Sequence, residues 1–280
     1  MFKDILTKGG KSDKENEDCV YLCDDFGFVM DGATGLLKEN ITNCVSDAKW
    51  YVEEFKNFLI KNLKTKKNLK GIMKDGITYV SNTYNNIEGA TSVKSKPSSG
   101  IALFRKNENN IEYFILGDCQ LIIKDKKDII TKLQLNDLPK LDNINIGRMV
   151  KIAKEKNINV IDARPLINDY LVETRLTQNT NNGYWILSDD INAVDHALHG
   201  TLNLKDIKQI IGLTDGFSQL YEVFKVFTYE ELVNLINNKK ISLDNLYDTL
   251  FTLQENDSNC NRYPRFKIRD DASIFNYELD

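Results

Sequence analysis

Acidic side chains placed at the ends of apolar runs are the residues of this sequence that could act together chemically. Asp31-Gly32 follows the run FGFVM, Asp118 closes ILGD, Asp215-Gly216 follows IIGLT, and Asp270-Asp271 stands directly before ASIF. A fifth acidic pair, Glu17-Asp18, precedes CVYL. Strand ends are rigid positions, and an adjoining glycine lets backbone approach a ligand closely. Hard cations such as Mg²⁺ and Mn²⁺ take oxygen ligands in octahedral geometry and keep several waters. Aspartates that converge without histidine therefore suit a Mg²⁺ or Mn²⁺ site. One Asp-Gly after a strand is by itself only a turn; the repetition of the design points to a site.

Other chemistries are poorly supplied. His196 and His199 are the only histidines, which excludes a histidine-rich metal site, and no GxSxG turn presents a nucleophilic serine. The two histidines stand three apart in NAVDHALHG, a spacing that would place them on one helical face; a structural role is expected for both. A cysteine-based phosphatase needs an arginine six residues after its nucleophile. The residues at that offset from Cys19, Cys23, Cys44, Cys119 and Cys260 are Asp25, Val29, Trp50, Asp125 and Phe266. Phosphate-cradling GxxxxGK[ST] and GxGxxG loops are also missing. Cys19 and Cys23 lie in one predicted strand, where four residues span about 13 Å, beyond the ~7 Å reach of a disulfide. The cysteines are expected to be small hydrophobes in a reducing, cytoplasmic setting.

Composition narrows the class further. The 37 Lys+Arg against 41 Asp+Glu leave a net charge of -4, which argues against a general nucleic-acid binder. With 41% hydrophobic residues the 280-residue chain can build a real core. No apolar run reaches the roughly 18 residues of a membrane span, so no membrane partner is expected. The first residues, MFKDILTKGG, lack the apolar stretch of a signal peptide.

The acids need rigid supports, and the patterning predicts them. CVYLCD and FGFVMD read as a strand hairpin. Ala48, Val52, Phe55, Leu59 and Leu63 predict a helix over about 43–64, with Tyr51, Phe55 and Phe58 in the core; Leu69, Ile72, Met73, Ile77, Val80 and Tyr84 predict another over 68–85. The runs IALFRK, IEYFILGD, CQLIIK and DIITKL read as a β-meander. Residues 139–180 read as helix and loop, and Asn182-Gly183 as a hairpin turn before the strand YWILS. QIIGLTDG is an apolar strand, helices are predicted over 217–238 and 242–254, and ASIFNYEL is a last strand. Without a linker or regular βαβ alternation, the pattern indicates one α+β domain over 1–280.

Taken in order, NEDCVYL, FVMDGATG, FILGDCQL, GLTDGF and RDDASIF resemble the protein phosphatase 2C family, the metal-dependent (PPM-type) serine/threonine phosphatases, and especially its bacterial members. The resemblance runs from about Glu15 to the C-terminus. It implies a four-layer α-β-β-α sandwich, two antiparallel sheets flanked by helix pairs, with a metal centre at one edge. It also implies two Mn²⁺ or Mg²⁺ ions and a third, weaker one. By position, Asp31 would bridge two ions and Gly32 would add its backbone carbonyl. Asp215 and Asp270 would ligate the first ion, and Glu17 would hold the second through water. Asp18 would support the bound waters, and Asp118 would help to hold the third ion. For Asp271 the alternative is a solvated carboxylate at a strand entry.

The sequence also departs from the family's pattern. Ala33 stands where eukaryotic members carry a histidine, and Asp13 stands where many members carry a phosphate-binding arginine. Lys11 or Lys14 would have to substitute for that arginine. Arg164 and Arg175 could also meet phosphate, although ordinary surface positions are expected for both. Asp189, Asp190 or Asp195 could supply the remaining third-site ligand, with no basis for choosing among them.

The implied activity is hydrolysis of phosphoserine or phosphothreonine in proteins by in-line attack of an activated water, without a covalent intermediate. A partner kinase would supply the substrate. Two other readings compete. One is a catalytically weakened 2C-like domain that binds phosphoproteins or regulates them, as Asp13 and Ala33 would suggest. The other is an aspartyl-nucleophile phosphatase of the haloacid dehalogenase type, which Ala33 argues against because that chemistry needs a second aspartate there.

Overall fold

Alternation along the strands sets the architecture. In the computed structural model, which describes residues 1–10, 15–33, 40–93, 95–237 and 239–279, β3 (Phe26–Ala33) turns Phe28 and Met30 to one side and Val29 to the other. The same period of two appears in β9 (Ile207–Leu213), where Ile211 and Leu213 face one core and Ile210 another. Strands that are apolar on both faces must be covered on both, and two packed sheets with helices outside satisfy that requirement.

One sheet has the order β2-β3-β4-β5-β8, with β2 Asp18–Leu22, β4 Ser98–Asn107, β5 Asn110–Leu116 and β8 Leu198–Asn203. The other has the order β1-β10-β9-β6-β7, with β1 Phe2–Lys8, β6 Gln120–Asp125, β7 Ile130–Leu133 and β10 Ala272–Glu278. All their pairings are antiparallel. Val29, Ala102, Phe104, Ile115, Leu121, Ile210, Phe275 and Tyr277 fill the space between the sheets.

Helices α1 (Asp47–Asn62) and α2 (Leu69–Asn85) cover the first sheet, Phe55, Leu59, Met73 and Ile77 packing on Phe28, Met30 and Leu103. Both start on side-chain caps: Ser46 accepts from the Lys49 N–H at 3.1 Å, and Asn68 from the Gly71 N–H at 2.7 Å. Helices α5 (Asp215–Glu222), α6 (Tyr229–Asn237) and α7 (Leu243–Asn256) cover the second sheet through Phe217, Leu220, Leu232, Leu246 and Leu250. The result is the expected α-β-β-α layering, except that one outer layer has three helices among the described residues. The predicted helix over 217–238 starts at Asp215 and breaks between Glu222 and Tyr229, where Lys225 adopts φ 53°.

Several other expectations are corrected. The predicted meander is split: β4 and β5 belong to one sheet, β6 and β7 to the other, and the chain crosses at Gly117-Asp118. YWILS forms only isolated bridges, Tyr184 to Gln178 and Leu187 to Ser99, so the Asn182-Gly183 turn closes no hairpin. Phe2–Lys8, not foreseen as a strand, pairs along β10. His196 ends a 3-10 turn with its ring stacked on Trp185 at 3.5 Å, whereas His199 lies in β8; they share no helical face. Phe58 is only partly buried against the core that holds Tyr51 and Phe55. All five cysteines are free, and Cys19, Cys119 and Cys260 are buried. No helix among the described residues is long and apolar enough to cross a membrane.

Between β7 and β8 lie α3 (Asp137–Lys156), a 3-10 turn (Ile161–Ile167) and α4 (Asn168–Leu176). They form a small cluster of their own around Met149, Ala163, Ile167 and Cys260, beside the end of the sandwich where the acids gather.

Candidate metal centre

Register places the acids at one end of both sheets. Asp18 in β2 pairs with Asp31 in β3, and Asp31 pairs with Gly100 at the start of β4. Asp118 sits in the crossing from β5 to β6, Asp215 directly after β9 as the first residue of α5, and Asp270 two residues before β10. Carboxylate oxygens of Asp31, Asp118 and Asp215 all lie within 4.8 Å of one another. Asp270 joins them along the wall of two adjoining cavities of about 350 and 330 Å³, which also share Asp118, Asp142, Asp215, Phe266 and Lys267.

Glycine makes that convergence possible at two places. Gly117 turns the chain between sheets with φ 84°, and a side chain on Gly100 would lie 2.8 Å from the Asp118 carboxylate. A side chain on Gly216 would strike the Asp271 carbonyl at 1.9 Å, so only glycine lets the start of α5 rest on the segment holding Asp270.

Asp271 is no solvated strand-entry carboxylate. It accepts the Gly10 and Glu17 N–H groups, both at 2.7 Å, and so ties the N-terminal segment to β10. Glu17 and Asp18 are buried. Asp18 Oδ2 accepts from the Thr214 hydroxyl at 2.7 Å, while its Oδ1 is buried without a hydrogen-bond partner. Gly32 lines the second cavity, its N–H on the Glu17 carbonyl at 3.3 Å.

The cluster holds its protons tightly. Loss of solvent, then the charges of Asp215, Asp18 and Asp118, pushes the Asp31 carboxyl well above the usual range. Desolvation, followed by Asp270 and Asp118, raises Asp215 to about 8. Asp118 rises to about 7 through desolvation and Asp142, and desolvation also pushes Asp18 well up. Lys267 is in direct contact with the cluster, 2.5 Å from Asp270. Desolvation opposes its charge, but Asp270, Asp31 and Asp215 prevail and its pKa is raised. Crowded carboxylates and an unsatisfied buried carboxylate oxygen are a donor set that could hold a hard divalent cation.

Asp142 of α3 is the acid that sequence reasoning missed. Desolvation, then Asp215, raises it to about 7. Its signal was available: Asp142 is spaced three and seven residues from the buried Asn145 and Met149, on the inward stripe of the helix. None of the three acids proposed from the later segment lines these cavities. Asp195 is exposed and paired with Lys70 and Lys74, each at 2.8 Å, which holds its carboxyl down at about 2. Asp190 caps a 3-10 turn, and Asp189 is exposed. Arg164 and Arg175, expected on the ordinary surface, are instead half-buried and line the second cavity. Lys11, Asp13 and Lys14 lie outside the described residues, as do Thr34 and Gly35 of the DGATG segment.

No protein-family model matches the chain, and no curated protein matches it by sequence. Solved structures do. The chain is similar to the serine/threonine phosphatase Stp1 from Staphylococcus aureus, with 11% identity and a TM-score of 0.55 over 99% of this chain and 94% of that one. It is similar to PppA, a regulatory component of the type VI secretion system in Pseudomonas aeruginosa, with 11% identity and a TM-score of 0.56 over 99% and 97%. It also resembles the catalytic domain of the serine/threonine protein phosphatase PstP in complex with two manganese ions, with 12% identity and a TM-score of 0.51 over 100% and 98%. Over its whole length, the chain has the α+β sandwich fold of the bacterial 2C-type serine/threonine phosphatases.

Proposed function

We propose that this chain is a metal-dependent phosphomonoesterase whose substrates are phosphoserine and phosphothreonine in proteins. The convergence of Asp31, Asp118 and Asp215 within 4.8 Å, at the sheet end of a phosphatase fold, is the observation that carries the reading. The two manganese ions of the PstP complex support the choice of metal.

In this reading Asp31, Asp215, Asp270 and the Gly32 carbonyl would hold the divalent ions, Glu17 would support them, and Asp118 with Asp142 would hold a further, weaker one. When bound, two divalent ions supply a water nucleophile of lowered pKa and neutralise charge on the phosphoryl oxygens. The chain's own part is to hold these donors rigidly. Thr214 fixes one oxygen of Asp18, and the other is buried without a hydrogen-bond partner. Asp271 fixes the backbone of Glu17 by its N–H, so a residue from the N-terminal segment keeps its place in a site built otherwise from strand ends. A protein nucleophile is not needed, and the nearest thiol is unsuited to the role: Cys119 is buried, and desolvation pushes its pKa well up. A partner kinase acting on the same substrates, and a cytoplasmic setting in which the thiols stay reduced, belong to the same proposal.

The direct test is hydrolysis of an aryl phosphate and a phosphothreonine peptide by chelated, dialysed protein before and after addition of Mn²⁺. Activity that appears only with the metal supports the reading. Full activity in the metal-free protein would overturn it, as would two bound Mn²⁺ with no hydrolysis of either substrate.

A further inference from the structure

The second cavity is lined by the acids and by three cations, Arg164, Arg175 and Lys267. The segments that carry Arg164 and Lys267 are bonded to each other. Ile161 of the 3-10 turn donates its N–H to the Asn259 carbonyl at 3.2 Å, and Val160 donates to the Asn261 side chain at 2.9 Å. The loop that includes Asn259 and Asn261 leads on to Lys267 and is stapled by Arg265. That buried guanidinium donates to the Ile268, Tyr263, Gln254 and Asp257 carbonyls and to the Asp257 carboxylate, at 2.8–3.1 Å. Arg265 is thus fully committed to structure.

Arg164 is not. Its guanidinium lies 5.9 Å from the Phe266 ring and has no hydrogen-bond acceptor or carboxylate partner among the described residues. It is nevertheless half-buried, and desolvation lowers its pKa. A partly desolvated guanidinium with its donors unmatched is costly unless an anion meets it. The residue after Phe266 is Lys267, whose ammonium rests on Asp270. Both cations line the same cavity as Asp31, Asp118 and Asp215.

We propose that Arg164 and Lys267 form the phosphate-binding side of this cleft, taking the phosphoryl oxygens of a phosphomonoester dianion that point away from the acids. The inference rests on the phosphatase reading for the identity of the anion. It also answers the departure at the N-terminus: where relatives are expected to use an arginine, this chain has Asp13, and the cationic handle is rebuilt from the loop before β10 and the 3-10 turn. Arg164 offers a planar fork for two phosphoryl oxygens, whereas Lys267 offers a point charge. Asp270, which Lys267 contacts, is also one of the acids that would hold a divalent ion.

The test is calorimetric titration of the full chain, loaded with Mg²⁺, with inorganic orthophosphate. Metal occupancy is measured on the same samples. Arg164→Met and Lys267→Met should each weaken phosphate at least about tenfold, and Arg164→Lys should fall between wild type and Arg164→Met. KM for an aryl phosphate should rise in parallel with the dissociation constant, with kcat changing much less. Lys151→Met, at an exposed residue that lines neither cavity, is the control. Phosphate affinity unchanged in both neutral variants, or no phosphate binding by the wild type, overturns the proposal. If Arg164→Met fails to fold, Lys267→Met and Arg164→Lys decide the matter. Wild-type hydrolysis with unaltered phosphate binding in the variants would remove this subsite and leave the phosphatase reading standing. Arg164-dependent phosphate binding without hydrolysis of any phosphopeptide would do the reverse.

Discussion

Thr214 and Asp18 are 196 residues apart in sequence, and the Thr214 hydroxyl donates to Asp18 Oδ2 at 2.7 Å across the two sheets. The same hydroxyl accepts the Ser273 N–H at 3.0 Å, so a single side chain joins β2, the end of β9 and the start of β10 beneath the acidic cluster. Thr214→Val keeps the shape and removes both bonds. It should cost about 1–3 kcal/mol of stability, because a buried N–H and a buried carboxyl each lose a partner. Mn²⁺ affinity should fall as well, since Asp18 would no longer be oriented. Denaturant melts and metal titrations measure the two effects separately; an unchanged metal affinity would mean that Asp18 plays no part in the site.

Asp271 supports the centre without pointing into it. Asp271→Ala removes the acceptor of two backbone N–H groups, from Gly10 and Glu17. Each is a charge-assisted bond worth about 1.5–3 kcal/mol. Hydrogen exchange should rise selectively at Gly10 and Glu17, and metal affinity should weaken with it. Metal affinity equal to that of wild type would separate the N-terminal segment from the site.

The pH dependence of the metal-free protein should carry the signature of the cluster. Asp118 and Asp142 are raised to about 7 and Asp215 to about 8, from an ordinary 3.8. Between the unfolded and folded values the native state holds protons that the unfolded chain has released, so stability from these groups is present in full below about pH 4 and is lost as pH rises through 7 and 8. In chelator, the thermal midpoint should fall from about pH 5.5 to about pH 8.5 through these groups. A divalent cation should flatten that slope, and its binding should release protons, measurable as a buffer-dependent heat. A midpoint that rises over the same range would contradict the crowding of the carboxylates.

Asp31→Asn replaces the central carboxylate at nearly constant volume. Turnover should fall at least ~100-fold, roughly 3 kcal/mol in activation free energy, while metal-free stability is kept or raised because a desolvated acid is removed. Asp215→Asn should behave in the same way. Asp118→Asn and Asp142→Asn should be milder at saturating Mn²⁺ and should act on a shared weak metal affinity. If Asp142→Asn leaves every metal-binding isotherm unchanged, α3 contributes no ligand.

Metal selectivity follows from the donors. All the proposed ligands are oxygens, so Mn²⁺ or Mg²⁺ should restore activity to chelated protein and Zn²⁺ should do so poorly. Equal restoration by Zn²⁺ would point to a softer ligand in the cleft.

Taken alone, the sequence determined the layers and most of the acids. Period-two alternation in FGFVM and IIGL and the 3.6-residue spacing of Val52, Phe55, Leu59 and Leu63 are local records of which faces are buried, and an acid next to glycine at a strand end is equally local. Asp31, Asp118 and Asp215 were legible for that reason, and Asp270 as an acid just before an apolar strand; the structure brings all four to one sheet end. What only the tertiary structure decided depends on contacts between distant segments. The apparent meander divides between two sheets because Gly100 leaves room for the turn at Gly117 and Asp118. The break at Val223–Thr228 and the pairing of Phe2–Lys8 with β10 are likewise set by packing. Asp142 enters the site from a helix packed beside the sandwich, and Asp195, equally acidic, is drawn away by two lysines of α2. Arg164 and Lys267 stand 103 residues apart (267 − 164), and no local spacing brings them together. The bonds from the 3-10 turn to the loop before β10 do so, and both cations line the cavity that Asp31, Asp118 and Asp215 also line.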